Sequence, residues 1–96
     1  MGYSIEFEPE ALKEWFKLQA ATRERFKKML AKRLENPRIQ SAIVSGFDGN
    51  VYRLKLSSDG LRLIYVVIDE EKVIYVVAVG KREDLLVYRD AKDRLS

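Results

Sequence analysis

From Tyr3 to Phe7 apolar and polar side chains alternate, Tyr3, Ile5 and Phe7 against Ser4 and Glu6, and this period predicts a half-buried strand. Glu8-Pro9-Glu10 then sets a proline and two acids where a helix begins, and Leu12, Trp15, Phe16 and Leu18 follow at helical spacing, so a short helix is expected to about Leu18. Thr22 is the expected N-cap of a second helix, whose one face is Phe26, Met29, Leu30, Arg33 and Leu34 and whose end is Asn36-Pro37. The stretch from Arg38 to Asn50 keeps no period and reads as a connection returning to the sheet. Val51 to Leu56, Leu61 to Asp69 and Lys72 to Val79 are rich in Val, Ile, Leu and Tyr and are separated by short polar turns, the pattern of an antiparallel meander. Asp84 to Leu95 carries a final helix, packed through Leu85, Tyr88 and Leu95 or through Val87 and Ala91. The expectation is an α+β fold, β-α-α-β-β-β-α: a small antiparallel sheet, two N-terminal helices packed on one face and a short C-terminal helix, all helices segregated to that face, in one domain over residues 1–96.

Composition narrows the chemistry. With no cysteine and no histidine among the 96 residues, disulfides, thiolate or imidazole metal sites, and Ser-His or Cys-His nucleophilic arrangements are absent. No metal and no cofactor is therefore expected. The N-terminus has no basic-then-apolar leader pattern, and no stretch approaches the roughly 20 apolar residues of a membrane span, so a soluble, cytoplasmic protein without a membrane partner is expected. The net charge of +3 suits a polyanion partner, but 18 basic and 15 acidic residues are spread over both halves, so any basic patch has to be made by folding.

Strand register shows where such a patch forms. In Val51 to Leu56 alternation sets Tyr52, Leu54 and Leu56 on one face and Arg53 and Lys55 on the other. If Ser57-Ser58-Asp59-Gly60 is a four-residue hairpin loop, Lys55 lies opposite Arg62 and Arg53 opposite Ile64. Like charges directly opposed destabilise a sheet by roughly 0.2 to 1 kcal/mol, a hint of an anion above them, although a solvated face with splayed side chains explains the pair as well. A tight reversal at Glu70-Glu71 sets Arg62 opposite Val79, so that Arg53, Lys55, Arg62, Lys81 and Arg82 converge on one edge of the sheet. Arginine forks and lysine ammonium groups bind phosphate. Tyr88, about one helical turn beyond Arg82, either reaches back over this patch to stack on a base or is a core residue of the last helix.

Ala11-Leu12-Lys13-Glu14-Trp15 with Leu18, Asn36-Pro37-Arg38-Ile39, Tyr52-Arg53-Leu54-Lys55-Leu56, Gly60-Leu61-Arg62-Leu63-Ile64-Tyr65, Val67-Ile68-Asp69-Glu70, and Val79-Gly80-Lys81-Arg82-Glu83 with Val87-Tyr88 together resemble the RelE-type toxins of bacterial toxin-antitoxin systems. The resemblance spans nearly the whole chain. It implies a metal-independent endoribonuclease that cuts mRNA codons in the ribosomal A site and is inhibited by a cognate RelB-like antitoxin, with operator DNA bound only through the toxin-antitoxin complex. Lys55, Arg62, Arg82 and Tyr88 fall where the family keeps functional residues, and Arg53 where close relatives often have lysine. Ser45, Ser57 and Asp84 fall where well-known members have arginine, which implies a thinner grip on ribosomal RNA.

The reaction so implied is attack of an RNA 2′-hydroxyl on the adjacent phosphate, leaving a 2′,3′-cyclic phosphate and a 5′-hydroxyl. Tyr88 is the expected base and Lys55 its rival; phenol and ammonium groups ordinarily titrate at about 10 and 10.4, and neighbouring cations favour the deprotonated form of each. Arg62 and Arg53 would stabilise the phosphorane, and Arg82 the phosphate and leaving oxygen, with Arg53, Lys55, Lys81 and Arg82 gripping RNA. Two alternatives stand beside this reading: a ParE-like toxin that poisons DNA gyrase, and a non-catalytic antitoxin-binding co-repressor.

Overall fold

The computed structural model describes residues 2–47, 49–81 and 86–95. The first strand, β1 (Ser4–Phe7), leads into α1 (Pro9–Phe16), whose start is fixed twice: Pro9 supplies the helical φ, and the Glu8 carboxylate accepts from the Ala11 amide at 2.8 Å. The helix ends at Phe16, two residues short of the expected boundary, and Arg23 donates to the freed carbonyls of Phe16 and Leu18. Helix α2 (Ala20–Glu35) starts earlier than expected. Thr22 lies inside it, and its hydroxyl bonds the Asp59 carboxylate at 3.1 Å, tying the helix to the next hairpin instead of capping it.

After a 3₁₀ turn at Gln40–Ala42 come β2 (Val51–Leu56), a second 3₁₀ turn at Ser57–Asp59, β3 (Leu61–Ile68), β4 (Val73–Lys81) and α3 (Leu86–Leu95). The Ser57-to-Gly60 loop closes through Gly60, at φ 65°, and gives the expected register: Lys55 opposite Arg62, Arg53 opposite Ile64. The β3–β4 reversal pairs Ile68 with Val73, in line with the expected turn, but the register then slips by one residue between Ile64 and Tyr65. Val77 is the extra residue of a β-bulge, so Val77 and Ala78 both join the same core while Val76 and Val79 point to the other. Arg62 consequently faces Gly80, not Val79.

The sheet order is β1-β4-β3-β2, and it is mixed: β1 runs parallel to β4, where a wholly antiparallel sheet was expected. Alternation fixes which side of a strand is buried and carries no information on the direction of its neighbour. The helices are not all on one face. Helices α1 and α2 cover a core of Ala11, Trp15, Phe26, Leu30, Leu54, Leu63, Tyr65, Ile74 and Val76, whereas α3 seals the opposite face through Val87 and Ala91 against Val44, Val51, Ile64, Val77 and Ala78. Because β3 and β4 are apolar on both faces, burial requires a cover on each side. Of the two packing stripes proposed for the last helix, Val87 and Ala91 are the buried one; Leu95 is 38% exposed and Leu85 lies outside the described residues. Among the described residues no helix is long and apolar enough to cross a membrane.

Candidate nucleic-acid interface

The outer edge of the sheet is β2. Its first two residues are covered by the preceding connection, with Ile43 bridging Tyr52 and the Val44 amide bonding the Val51 carbonyl at 2.9 Å. Beyond Tyr52 no strand pairs with this edge among the described residues, and Arg53 and Lys55 stand along it. Two grooves meet there. One, of about 630 Å³, lies between the connection and α3 and is lined by Ile43, Val44, Ser45, Gly46, Phe47, Arg53, Tyr88, Arg89 and Lys92. The other, of about 320 Å³, lies toward α2 and is lined by Met29, Arg33, Ser41, Ala42, Arg53 and Lys55. Arg53 belongs to both, and its Nη1 donates to the Ile43 carbonyl at 3.1 Å, which holds the guanidinium between them.

The expected residues are not all assembled in one place. Tyr88 and Arg53 line the α3 groove together, and Tyr88 also packs against the α3-side core, so its ring is both core wall and groove lining. Lys55 is exposed in the α2 groove. Arg62, expected on an open face, is only 7% exposed and donates to the Leu61 carbonyl at 3.1 Å. Gly80 lies opposite it on β4 and Lys55 on β2. Lys81 pairs with Leu61, which packs on the α1/α2 side, so the bulge sets Lys81 on the opposite face from Arg53, Lys55 and Arg62. Arg82 and Asp84 lie outside the described residues.

Arg89 and Lys92, in the run of alternating charges of the last helix, and Arg33, on the packing face of α2, line these grooves and are not among the expected site residues. The signal was available for the first two: positions 88, 89 and 92 fall on adjacent parts of one helical surface, so a Tyr88 turned to the groove brings both cations with it.

Three acids are engaged by other arginines. Arg25 pairs with Asp59 at 2.9 Å, Arg38 pairs with Asp69, and Arg94 makes a two-pronged pair with Glu14 at 2.9 and 3.0 Å. Hydrogen bonds from Ser58 and Thr22 and the charge of Arg25 hold the Asp59 carboxyl below its ordinary range, and Tyr3 and Arg38 do the same for Asp69. Among the described residues Arg33, Arg53, Lys55, Arg62 and Arg89 make no ion pair. A set of cations along a sheet edge, with carboxylates engaged elsewhere and an aromatic ring in the same groove, is suited to a phosphodiester carrying bases.

Comparison with known proteins is consistent with this geometry. Residues 5–86 match the family model described as the ParE toxin of type II toxin-antitoxin systems, parDE. The chain is 46% identical over 95 residues to the mRNA interferase toxin RelE of Escherichia coli (strain K12), covering 99% of each. The chain belongs to the RelE/ParE toxin superfamily, on its RelE branch. An arginine-to-alanine double variant of E. coli RelE in the free state superposes with a TM-score of 0.91 at 45% identity over all of both chains. The RelE of the intact E. coli RelBE toxin-antitoxin complex matches with a TM-score of 0.79 at 47% identity, over 82% of this chain and 95% of that one. The RelE–RelB complex of Pyrococcus horikoshii, at 23% identity and a TM-score of 0.65, shares the fold.

Proposed function

We propose that this RelE-branch toxin is a metal-independent endoribonuclease that cuts mRNA codons in the ribosomal A site, through 2′-hydroxyl attack on the adjacent phosphate. The observation that carries the reading is the α3 groove, in which Tyr88 shares a wall with Arg53, Arg89 and Lys92. Full-length identity to a protein named as an mRNA interferase supports the same substrate. In this reading a deprotonated Tyr88 takes the 2′ proton, with Lys55 as the rival base; Arg53 and Arg62 offset the phosphorane charge; and Arg82 supports the leaving 5′ oxygen electrostatically, because a guanidinium keeps its protons at neutral pH, so that oxygen takes its proton from water. Phenolate and free amine, the forms that can accept a proton, are ordinarily scarce at pH 7, so the reaction is slow on a floppy substrate. The ribosome supplies the missing rate by presenting the mRNA in line.

The partner of the resting protein is a RelB-like antitoxin, as in the solved complexes of E. coli RelE with RelB and with a RelB peptide. Its inhibitory segment is amphipathic and partly acidic, wraps the helices and covers or displaces α3, and operator DNA is bound only by the toxin-antitoxin complex. The test is expression of the toxin alone followed by mapping of mRNA 5′ ends. Cuts within translated codons, retained in intact ribosome extracts containing EDTA, support the reading. DNA damage without such cuts assigns the chain to gyrase poisoning, and neither outcome leaves an antitoxin-binding co-repressor.

A further inference from the structure

Arg33 is a cation on an otherwise apolar helix face, with its guanidinium 5.8 Å from the centre of the Tyr65 ring. It lies on the face of α2 that also carries Phe26, Met29 and Leu30, is half-buried, and has no carboxylate partner among the described residues. Packing alone would be served better by an apolar side chain, since a partly desolvated cation without an anion is unfavourable. Its head is nevertheless held firmly. Nη1 donates to the Tyr65 hydroxyl at 2.7 Å and lies 3.4 Å from the Arg53 carbonyl, and the Tyr65 hydroxyl in turn donates to the Pro37 carbonyl at 2.6 Å. Those bonds use one nitrogen of a five-donor fork. Arg33 also lines the α2 groove, where Lys55, Arg53 and Ser41 are the other polar residues.

We propose that the α2 groove is a subsite for the phosphodiester of a nucleotide flanking the one cut, with Arg33 as its principal ligand. Three cations, one hydroxyl and no carboxylate line it. Arg53 is common to this groove and to the α3 groove, so a strand seated under Tyr88 passes over the β2 edge directly into it. Among the described residues the covering connection pairs with β2 no further than Tyr52, which leaves Arg53 and Lys55 beyond its ladder. Preorganisation by Tyr65 reduces the side-chain entropy lost when the phosphate binds.

The inference rests on the ribonuclease reading for the identity of the strand, and it is tested without cleavage. The probe is a single-stranded RNA oligonucleotide with every 2′-hydroxyl methylated, whose affinity for the free toxin is measured across a salt series. Each phosphate contact on a single strand contributes about 0.7 to the slope of log affinity against log salt. Arg33→Met, which keeps the stem and the packing, is expected to make the slope shallower by about that amount and to weaken binding several-fold at low salt; Arg33→Lys restores most of both. Tyr65→Phe lowers the melting temperature and leaves the slope in place. Ser41→Asp, on an exposed turn, weakens binding without touching α2 and decides the matter alone if Arg33→Met does not fold. An unchanged slope in Arg33→Met overturns the proposal, as does a loss confined to antitoxin binding. A toxin that binds the probe in this way yet cuts no mRNA keeps the subsite and removes the nuclease; one that cuts mRNA while Arg33→Met keeps the full slope does the reverse.

Discussion

Arg53 is the residue on which both grooves depend. Its bond to the Ile43 carbonyl fixes the connection over the start of β2 and sets the guanidinium where the two cavities meet. Arg53→Ala is therefore expected to lower the rate of mRNA cutting by about two orders of magnitude, the usual effect of removing a group that offsets transition-state charge, with a stability change of about 1 kcal/mol. Single-turnover cleavage on programmed ribosomes, read beside a denaturation curve, checks both. A second residue-scale prediction concerns acid. Asp59 and Asp69 titrate below their unfolded values, so their contribution is fully present above about pH 4, the ordinary carboxylate value, and is lost as pH falls through the lower folded values. Asp59→Asn and Asp69→Asn should lower the melting temperature modestly in the neutral range and flatten its fall below about pH 4, so that the variants approach wild type in acid. The Lys55–Arg62 pairing was legible in the sequence because loop length and alternation determine it. The burial of Arg62 was not, since alternation along β3 does not say what packs over that face.

Among the elements, β4 decides most. Its bulge at Val77 reverses the alternation for everything after it, which moves Gly80 opposite Arg62 and sends Lys81 to the other face. An extra residue in a run of valines leaves no mark in Val73 to Val79, so the convergence of Lys81 with the other cations was a register error that the sequence alone could not reveal. The same region explains how α3 is held. Pairing between β1 and β4 ends at Val76, and the groups left beyond it are taken by side chains: Arg94 donates to the Val77 carbonyl at 2.8 Å and Glu14 accepts from the Val79 amide at 3.0 Å. Arg94 and Glu14 also pair with each other, clamping α3 to α1 around the sheet edge. Arg94→Ala is expected to lower stability by about 1 to 3 kcal/mol, and a double-mutant cycle with Glu14→Gln to show coupling of about 1 kcal/mol. Amide hydrogen exchange should quicken in α3 before it does in β3; uniform acceleration would mean that the clamp serves the whole fold and not this helix.

At the scale of the molecule, the order of elements and the α+β class were legible because each strand and helix buries one readable stripe or run. The placement of α3 opposite the other helices was not, because a marginal ten-residue helix with Val87 and Ala91 as its only buried residues fits either face. That placement creates the groove under Tyr88. It also makes the groove depend on α3 remaining docked, so a bound antitoxin that displaces α3 removes Tyr88 from Arg53 without touching either residue. Displacement of α3 would give antitoxin-bound toxin rapid α3 exchange and no cleavage, whereas an antitoxin that covers α3 would slow its exchange; either is reversed when the antitoxin is degraded.

The central claim is that chemistry without histidine or cysteine runs on a tyrosine beside a cluster of cations, on ribosome-held mRNA. The most direct measurement is single-turnover cleavage of mRNA in the A site of purified ribosomes, by the wild-type toxin and by Tyr88→Phe, with free mRNA in parallel and EDTA added at a level that leaves the ribosomes intact. The account predicts cuts within the A-site codon ending in 2′,3′-cyclic phosphate, little cutting of free mRNA, no inhibition by EDTA and a loss of two or more orders of magnitude in Tyr88→Phe. Equal cutting of free and bound mRNA, or full activity in Tyr88→Phe, would contradict it.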